Sequence, residues 1–192
     1  MPPKQKITKD MIFEAAFQIT RENGIGSVNA RSLAKVIGCS TQPIFSHYAT
    51  MSELKQDFHG YLGKYFDEYA LSRATQGDSF SHDVGRAYIG FAKHESNLFQ
   101  ALFMSEFFGL NGFSDMFADE GNLEAARGIS KNLGISLEAA KNLYMKIWIF
   151  LHGIASLIAT KSINLSDEEA ERMHREASAA FLAQERENQG MK

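Results

Sequence analysis

The sequence predicts an all-α fold, and three observations support this prediction. The only prolines of the 192-residue chain are Pro2, Pro3 and Pro43, so no proline interrupts a helix after residue 43. Runs of β-branched residues are absent, and apolar residues recur at three- and four-residue spacing instead. Capping residues, mostly Ser and Thr, precede several of these periodic segments. We expect about nine helices.

The first predicted helix begins after Thr8, which can cap it, and ends at Asn23-Gly24. Its inner face is formed by Ile12, Ala15, Ala16 and Ile19.

Two short helices joined by a tight turn follow over residues 29–48. Asn29 can cap the first of them, and Gly38 ends it because glycine adopts the left-handed conformation at low cost. We expect Ser40 to cap the second helix. Pro43 lies in its first turn, where the missing N–H costs little. The inner face of the first helix comprises Leu33, Ala34 and Ile37.

The second helix of this pair presents short hydrogen-bonding side chains outward, at Thr41, Gln42, Ser46 and His47. Such groups reach base edges or phosphates when a helix lies in the major groove. Arg31, early in the preceding helix, is placed to meet a phosphate or a guanine. The pattern therefore predicts a helix-turn-helix that binds double-stranded DNA. An ordinary helical hairpin with a polar outer face is the alternative. Ile44 and Tyr48 are expected to face inward.

A long helix is predicted after this pair, from about Ser52 to Ser72. Thr50-Met-Ser-Glu53 has the pattern of a capping box, in which Glu53 reaches back to the cap residue. Three helices and this long fourth one would form a compact head. The apolar side of the fourth helix comprises Leu54, Phe58, Tyr61, Leu62 and Tyr65.

Here the chain resembles the TetR family of bacterial transcriptional regulators. The resemblance covers residues 7–62 and is carried by segments 12–24, 31–38, 40–48 and 51–55. The chain departs from the family pattern at Phe45, where many members carry Tyr and its phenol, and at Met51, where Lys or Ser is common. The resemblance and the polar helix together give an expected set of DNA-contacting residues: Asn29, Ala30, Arg31, Thr41, Gln42, Pro43, Phe45, Ser46, His47, Tyr48 and Lys55.

The charge distribution agrees with this assignment. Residues 1–55 hold seven Lys and Arg against four Asp and Glu, a net charge of +3. Residues 56–192 hold thirteen against nineteen, a net charge of −6, so the whole chain carries −3. The positive part is the one expected to meet DNA. We predict a DNA-binding domain over residues 1–55 and a ligand-binding and dimerisation domain over residues 56–192.

The second predicted domain is helical throughout. Residues 73–79 are expected to form a link and residues 109–121 the loosest region. Ser136 and the capping box Ser166-Asp-Glu-Glu169 open the last two helices. Helices are predicted over residues 81–93, 96–107, 122–132, 136–161 and 166–189.

The penultimate helix is apolar on most of its circumference, so it must be covered on both sides. We infer a homodimer in which the last two helices of each chain form a four-helix bundle. The resemblance implies the same arrangement, and two DNA-reading heads about 34 Å apart also require two copies. A monomer that buries this helix centrally is the alternative.

Aromatic residues are dense in the middle of the chain, and a bundle lined by them could hold an apolar or aromatic small molecule. Trp148 and His152 lie one turn apart and are followed by Gly153, a pattern similar to the Trp…His-Gly signature of one TetR subgroup. Plain core packing, with a satisfied core histidine, is the alternative. The expected ligand-binding residues are Tyr88, Phe91, Phe99, Phe103, Phe107, Tyr144, Trp148 and His152.

Other classes of protein find little support in the sequence. Cys39 is the single cysteine, so neither an internal disulfide nor a cysteine metal cluster can form. No phosphate loop, nucleophile elbow or HExxH motif occurs, and we expect no enzyme, cofactor or metal. The N-terminus lacks a signal peptide, and the apolar run 147–159 is shorter than the roughly 20 residues of a membrane span. We therefore expect a cytoplasmic protein.

Taken together, these features predict a ligand-responsive transcriptional regulator. We expect a repressor that a small apolar or aromatic effector releases from a palindromic operator, through movement of the long fourth helix. An activator is one alternative. An all-α small-molecule-binding protein or enzyme that does not bind DNA is the other.

Overall fold

The computed structural model describes residues 6–73, 80–109 and 112–190, and only the backbone of residues 80–83. Over these residues the chain is helical and contains no strand, as predicted. Short 3-10 helices span Ile25–Ser27, Glu106–Phe108 and Phe113–Ala118. The α-helices are α1 (Lys9–Asn23), α2 (Ala30–Ile37), α3 (Gln42–His47), α4 (Met51–Leu71), α5 (Phe80–His94), α6 (Ser96–Phe103), α7 (Glu120–Leu133), α8 (Leu137–Ala159) and α9 (Asp167–Asn188).

The chain divides into two compact units. The first comprises Met1–Tyr69 and His94–Phe108, and the second comprises Ala70–Lys93 and Gly109–Lys192. The boundary along the chain therefore falls within α4, and α6 returns to the first unit. The predicted division at residue 55 concerns function and stays a prediction.

The first unit is held together by α1, which packs against both α2 and α6. The predicted inner face of α1 is confirmed, since Ile12, Ala15, Ala16 and Ile19 are buried. Arg21 of α1 makes a bidentate ion pair with Glu95, which precedes α6 and is 8% exposed. The amide of Asn97 also donates to the Arg21 carbonyl, at 3.0 Å. These bonds attach α6 to α1.

The second unit is built around α8, which packs against α7 and α9. Its core includes Ile135, Ala139, Ala140 and Leu143, with Phe181 and Leu182 of α9 packed against them. The Nζ of Lys146 lies 2.7 Å from a carboxylate oxygen of Glu185, which is 4% exposed, and so ties α8 to α9.

The length of α8 corrects one expectation. The apolar run was expected to be too short for a bilayer, but the whole 23-residue helix has the length and hydropathy of a membrane span. One such helix is weak evidence for insertion, because core helices of soluble proteins have the same composition. In the described structure α8 lies against α7 and α9.

Most of the predicted caps are present. The side chains of Thr8, Asn29, Ser136 and Ser166 each accept a backbone N–H of the helix that follows them. Asn29 and Ser166 belong to complete capping boxes.

Two predicted caps are wrong in detail. Thr41, not Ser40, is the N-cap residue of α3, and its side chain makes no capping hydrogen bond. The Thr50 hydroxyl accepts the N–H of Glu53 at 3.1 Å as expected. The Glu53 carboxylate, however, accepts from Ala49, one residue before the cap, at 2.9 Å.

One predicted helix is shorter than expected, and one predicted link is not described. α6 ends at Phe103 rather than Phe107, and the chain continues into the 3-10 helix Glu106–Phe108. Of the predicted link over residues 73–79, residues 74–79 lie outside the described residues, as do residues 110–111 of the predicted loose region.

Candidate nucleic-acid interface

The turn between α2 and α3 has the geometry that the sequence predicts. Gly38 adopts φ 78° and ψ 35°, the left-handed conformation, and its N–H donates to the Ala34 carbonyl at the end of α2. Pro43 lies in the first turn of α3. Leu33 and Ile44 are fully buried and anchor α2 and α3 to the head. The two helices therefore form a helix-turn-helix whose outer residues remain accessible.

The predicted DNA-contacting residues differ in exposure. Asn29, Arg31, Gln42, Phe45 and Ser46 are exposed, and the ring of Phe45 is 50% exposed. The half-buried residues of the set are Ala30, Thr41, Pro43, His47 and Lys55.

Tyr48 is the exception, since it is only 2% exposed. Its hydroxyl donates to Oδ2 of Asp57 on α4 at 2.7 Å. The inward orientation expected for Tyr48 is thus observed, whereas a direct contact between its ring and DNA does not fit its burial.

Tyr48 belongs to a charged network that joins α1, the end of α3 and α4. The Nζ of Lys9 lies 2.9 Å from Asp57 Oδ2 and 4.8 Å from the centre of the Tyr48 ring. Hydrogen bonds from Tyr48 and Lys9 lower the pKa of Asp57. Burial is the main cause that raises the pKa of Tyr48 to about 12, and the hydrogen bond to Asp57 is the second. The carboxylate is therefore charged and the phenol protonated at neutral pH, which keeps the bond between them intact.

Two other side chains of α3 also bond within the head. The Ser46 hydroxyl donates to the Pro43 carbonyl at 2.6 Å. Nε2 of His47 lies 2.9 Å from the Ile7 carbonyl, so this nitrogen carries the proton and donates. The end of α3 is thereby fixed to the segment that precedes α1.

Sequence reasoning missed Lys9, Asp57 and Glu95. Lys9 and Asp57 hold the end of α3 through Tyr48, and Glu95 holds α1 through Arg21. Lys9 and Asp57 are 48 residues apart, and Arg21 and Glu95 are 74 apart. A pairing over such distances leaves no local pattern in one sequence. The pairing of His59 Nε2 with the Leu102 carbonyl, at 2.8 Å, is of the same kind.

The predicted ligand-binding residues fall into both compact units. Phe99, Phe103 and Phe107 belong to the first unit. The Phe103 ring lies 5.1 Å from those of Phe66 and Phe99, centre to centre, and Phe99 is fully buried.

The other predicted ligand-binding residues belong to the second unit, where three of them form a polar and aromatic cluster. The Tyr88 hydroxyl lies 2.8 Å from Nδ1 of His152, and the Trp148 ring stacks on the imidazole at 5.0 Å. Burial raises the pKa of Tyr88 and lowers the pKa of His152, so both groups are neutral at pH 7. The bond between them therefore joins two neutral groups.

Tyr144 and Phe91 complete the set. The Tyr144 hydroxyl donates to Oδ1 of Asn122 at 2.6 Å, and burial raises its pKa to about 12. Phe91 is fully buried. Among the residues that the structure describes, no group of three or more His, Cys, Asp and Glu side chains could hold a metal ion.

Solved structures share this architecture over most of the chain. A TetR-like transcriptional regulator from Rhodococcus sp. RHA1 superposes with a TM-score of 0.65 at 15% identity, covering 91% of this chain and 95% of that one. A transcriptional regulator from the same organism gives a TM-score of 0.62 at 16% identity, over 92% and 97% of the two chains. The fold is that of TetR-like transcriptional regulators.

In sequence, the HTH-type transcriptional regulator YobS of Bacillus subtilis is 22% identical over 171 residues, which are 88% of this chain and 87% of YobS. No family model matches the chain. The Trp…His-Gly subgroup expected from the sequence stays a prediction.

Proposed function

We propose that this protein is a cytoplasmic, DNA-binding transcriptional regulator of the TetR type and not an enzyme. The observation that carries this proposal is a complete helix-turn-helix whose short second helix is anchored from inside while Gln42 and Phe45 remain exposed. The TetR-like fold and the relative YobS support it. The excess of positive charge over residues 1–55 suits a DNA backbone.

The test of DNA binding uses the full chain and duplexes of random sequence. We expect selection to enrich a palindromic site, and binding to that site to weaken steeply as salt increases, since Lys and Arg displace counterions from phosphates. A chain that enriches no sequence and does not retard duplexes at low salt would exclude this function. It would favour an all-α small-molecule-binding protein.

We further propose that the protein acts as a homodimer joined through α8 and α9. On α8, Ile149, Gly153 and Leu157 recur every four residues and lie on one exposed face; the two large side chains are 44% and 48% exposed. Among the described residues, nothing lies within 4 Å of a Cβ built on Gly153. This face has the apolar and small residues that two close-packed helices need.

A charge placed on this face tests the dimer. Leu157→Glu is expected to convert a dimer into a monomer, because it places two carboxylates in an apolar contact. Leu71→Glu, at a residue that is 65% exposed on α4, is the matched control and should remain dimeric. Sedimentation equilibrium measures both. A wild-type chain that sediments as a monomer contradicts the proposal.

The regulator is proposed to be a repressor whose affinity for DNA falls when a small apolar or aromatic effector binds. The Tyr88–His152 pair between aromatic rings supports this proposal, because it offers an orienting hydrogen bond beside apolar surface. Trp148 is the only tryptophan, so its fluorescence reports binding at this cluster. Aromatic compounds that quench it should also release the selected duplex, and Tyr88→Phe should reduce both effects. Quenching without release would separate ligand binding from regulation.

A further inference from the structure

The internal hydrogen bonds of α3 determine which of its side chains can read bases. Ser46, His47 and Tyr48 each donate to an acceptor within the head, namely the carbonyls of Pro43 and Ile7 and the carboxylate of Asp57. Reading a guanine requires donors for its N7 and O6 atoms. These three donors are already used, and α3 contains neither Arg nor Lys.

Two outward side chains of α3 have the chemistry of A·T pairs. The exposed Gln42 carries both a donor and an acceptor on its amide, which match N7 and N6 of adenine. Phe45 is 50% exposed although it is a large apolar residue, and the one apolar group in the major groove is the thymine methyl.

Their spacing places the two side chains over neighbouring base pairs. Gln42 and Phe45 are three residues apart, so they share a face of the helix and are separated by about 4.5 Å along its axis. Successive base pairs rise by about 3.4 Å. The two side chains of one helix can thus contact two adjacent base pairs in the major groove.

From these observations, and resting on the proposed function, we infer that α3 reads an A·T step, in which Gln42 pairs with an adenine and Phe45 packs against the methyl group of a nearby thymine. Phe45 is therefore a specificity-determining residue, at the position where many members of the TetR family carry Tyr. Each half-site of the operator should therefore contain two neighbouring A·T pairs, one contacted through its adenine and the other through its thymine methyl group.

Thymine and uracil differ only in the methyl group, which gives a sharp test. The full chain first selects a site from a library of random-sequence duplexes, and each thymine of the half-site is then replaced in turn by uracil. At one position we expect about fourfold weaker binding, the effect of one methyl group removed from an apolar contact. Phe45→Ala should bind the thymine and uracil duplexes equally, and Gln42→Ala should lose about tenfold in affinity together with the preference for adenine.

Leu71→Ala is the matched control, because it also removes an exposed apolar side chain, from a residue outside α3. It should retain the fourfold difference between thymine and uracil. If wild type enriches a site but no uracil substitution weakens binding, or if Phe45→Ala still distinguishes the two bases, the inference is overturned and the proposed function survives. If wild type enriches no site, the proposed function itself fails, and the inference fails with it.

Discussion

The two compact units arrange their aromatic side chains in different ways. In the first unit the rings contact each other directly: Phe13 lies 6.0 Å from Phe58 and 5.4 Å from Tyr61, and Phe17 lies 4.8 Å from Tyr65, centre to centre. In the second unit rings also contact each other, as Phe117 and Tyr144 do at 5.7 Å, and in addition the buried hydroxyl of Tyr88 lies 2.8 Å from Nδ1 of His152.

Under the proposed function, this difference serves two tasks. A continuous cluster of rings between α1 and α4 fixes the helices that carry the helix-turn-helix, which is what a reader of fixed DNA geometry needs. Polar groups between rings are stabilised by bonds to each other, and a ligand can replace one of those bonds. Under that function, the ring cluster of the first unit serves rigidity and the Tyr88–His152 bond of the second unit serves exchange with an effector.

The largest expected effect concerns the core of the first unit. Phe58 is fully buried and its ring stacks on Tyr61 at 5.9 Å. Phe58→Ala should lower the free energy of unfolding by about 3–5 kcal/mol, because a large cavity remains. Phe113→Ala, at a ring that is 50% exposed in the second unit, should change it by less than about 1 kcal/mol. Urea denaturation measures both, and equal costs would contradict the contrast between core and surface aromatics.

The elements of the head that depend on neighbouring residues could be predicted from the sequence. The Asn29 cap and the Gly38 turn follow from a few adjacent residues, because capping and left-handed turns are decided locally. The same reasoning was wrong about Ser40. The N-cap residue of α3 is Thr41, one residue later, and its φ of −72° is already helical. Local preference does not determine which of two adjacent polar residues becomes the cap.

The function of individual side chains in the site was harder to predict than the fold. Tyr48 was expected both to face inward and to contact DNA, and the partner that fixes its orientation, Asp57, lies on the next helix. For the ligand set, spacing placed Trp148 and His152 together correctly, since one turn separates them. The contact between Tyr88 and His152 joins residues 64 apart and depends on tertiary packing.

A pair of glycines in the second unit gives the next prediction. A Cβ on Gly85 of α5 would lie 2.6 Å from Cε1 of His174 and 3.1 Å from Leu151, both of which are buried. The packing of α5 against α8 and α9 therefore leaves no room for a methyl group at this position. Gly85→Ala should cost about 1–3 kcal/mol by overpacking. Among the described residues, nothing lies within 4 Å of a Cβ on Gly128 of α7, and Gly128→Ala should stabilise the protein by about 0.5–1 kcal/mol.

The two substitutions are expected to change the stability in opposite directions, although both add the same methyl group to a helix of the second unit. This difference in direction is what the experiment tests. Thermal unfolding of the two variants beside wild type measures both changes. An unchanged Tm for Gly85→Ala would mean that the packing around α5 is looser than the structure describes. A lower Tm for Gly128→Ala would mean that the surroundings of Gly128 on α7 are tighter than the structure describes.

The smallest expected effect is the pH dependence contributed by Asp57. Hydrogen bonds from Tyr48 and Lys9 lower its pKa in the folded state, so the unfolded chain binds the proton more readily. The carboxylate therefore stabilises the fold above its unfolded pKa of about 4, and this contribution is lost as the pH falls through the folded value. Because the Asp57 side chain is 47% exposed, the gain is expected to be below about 1 kcal/mol.

The comparison of wild type with Asp57→Asn isolates this contribution, since asparagine keeps the shape of the side chain but does not titrate. The difference in urea midpoint between the two proteins should be present at pH 7 and should shrink as the pH is lowered to about 3. A difference that is constant with pH would show that Asp57 acts through packing alone. The Lys9–Tyr48–Asp57 network would then contribute shape, and not charge, to the rigidity of the first unit.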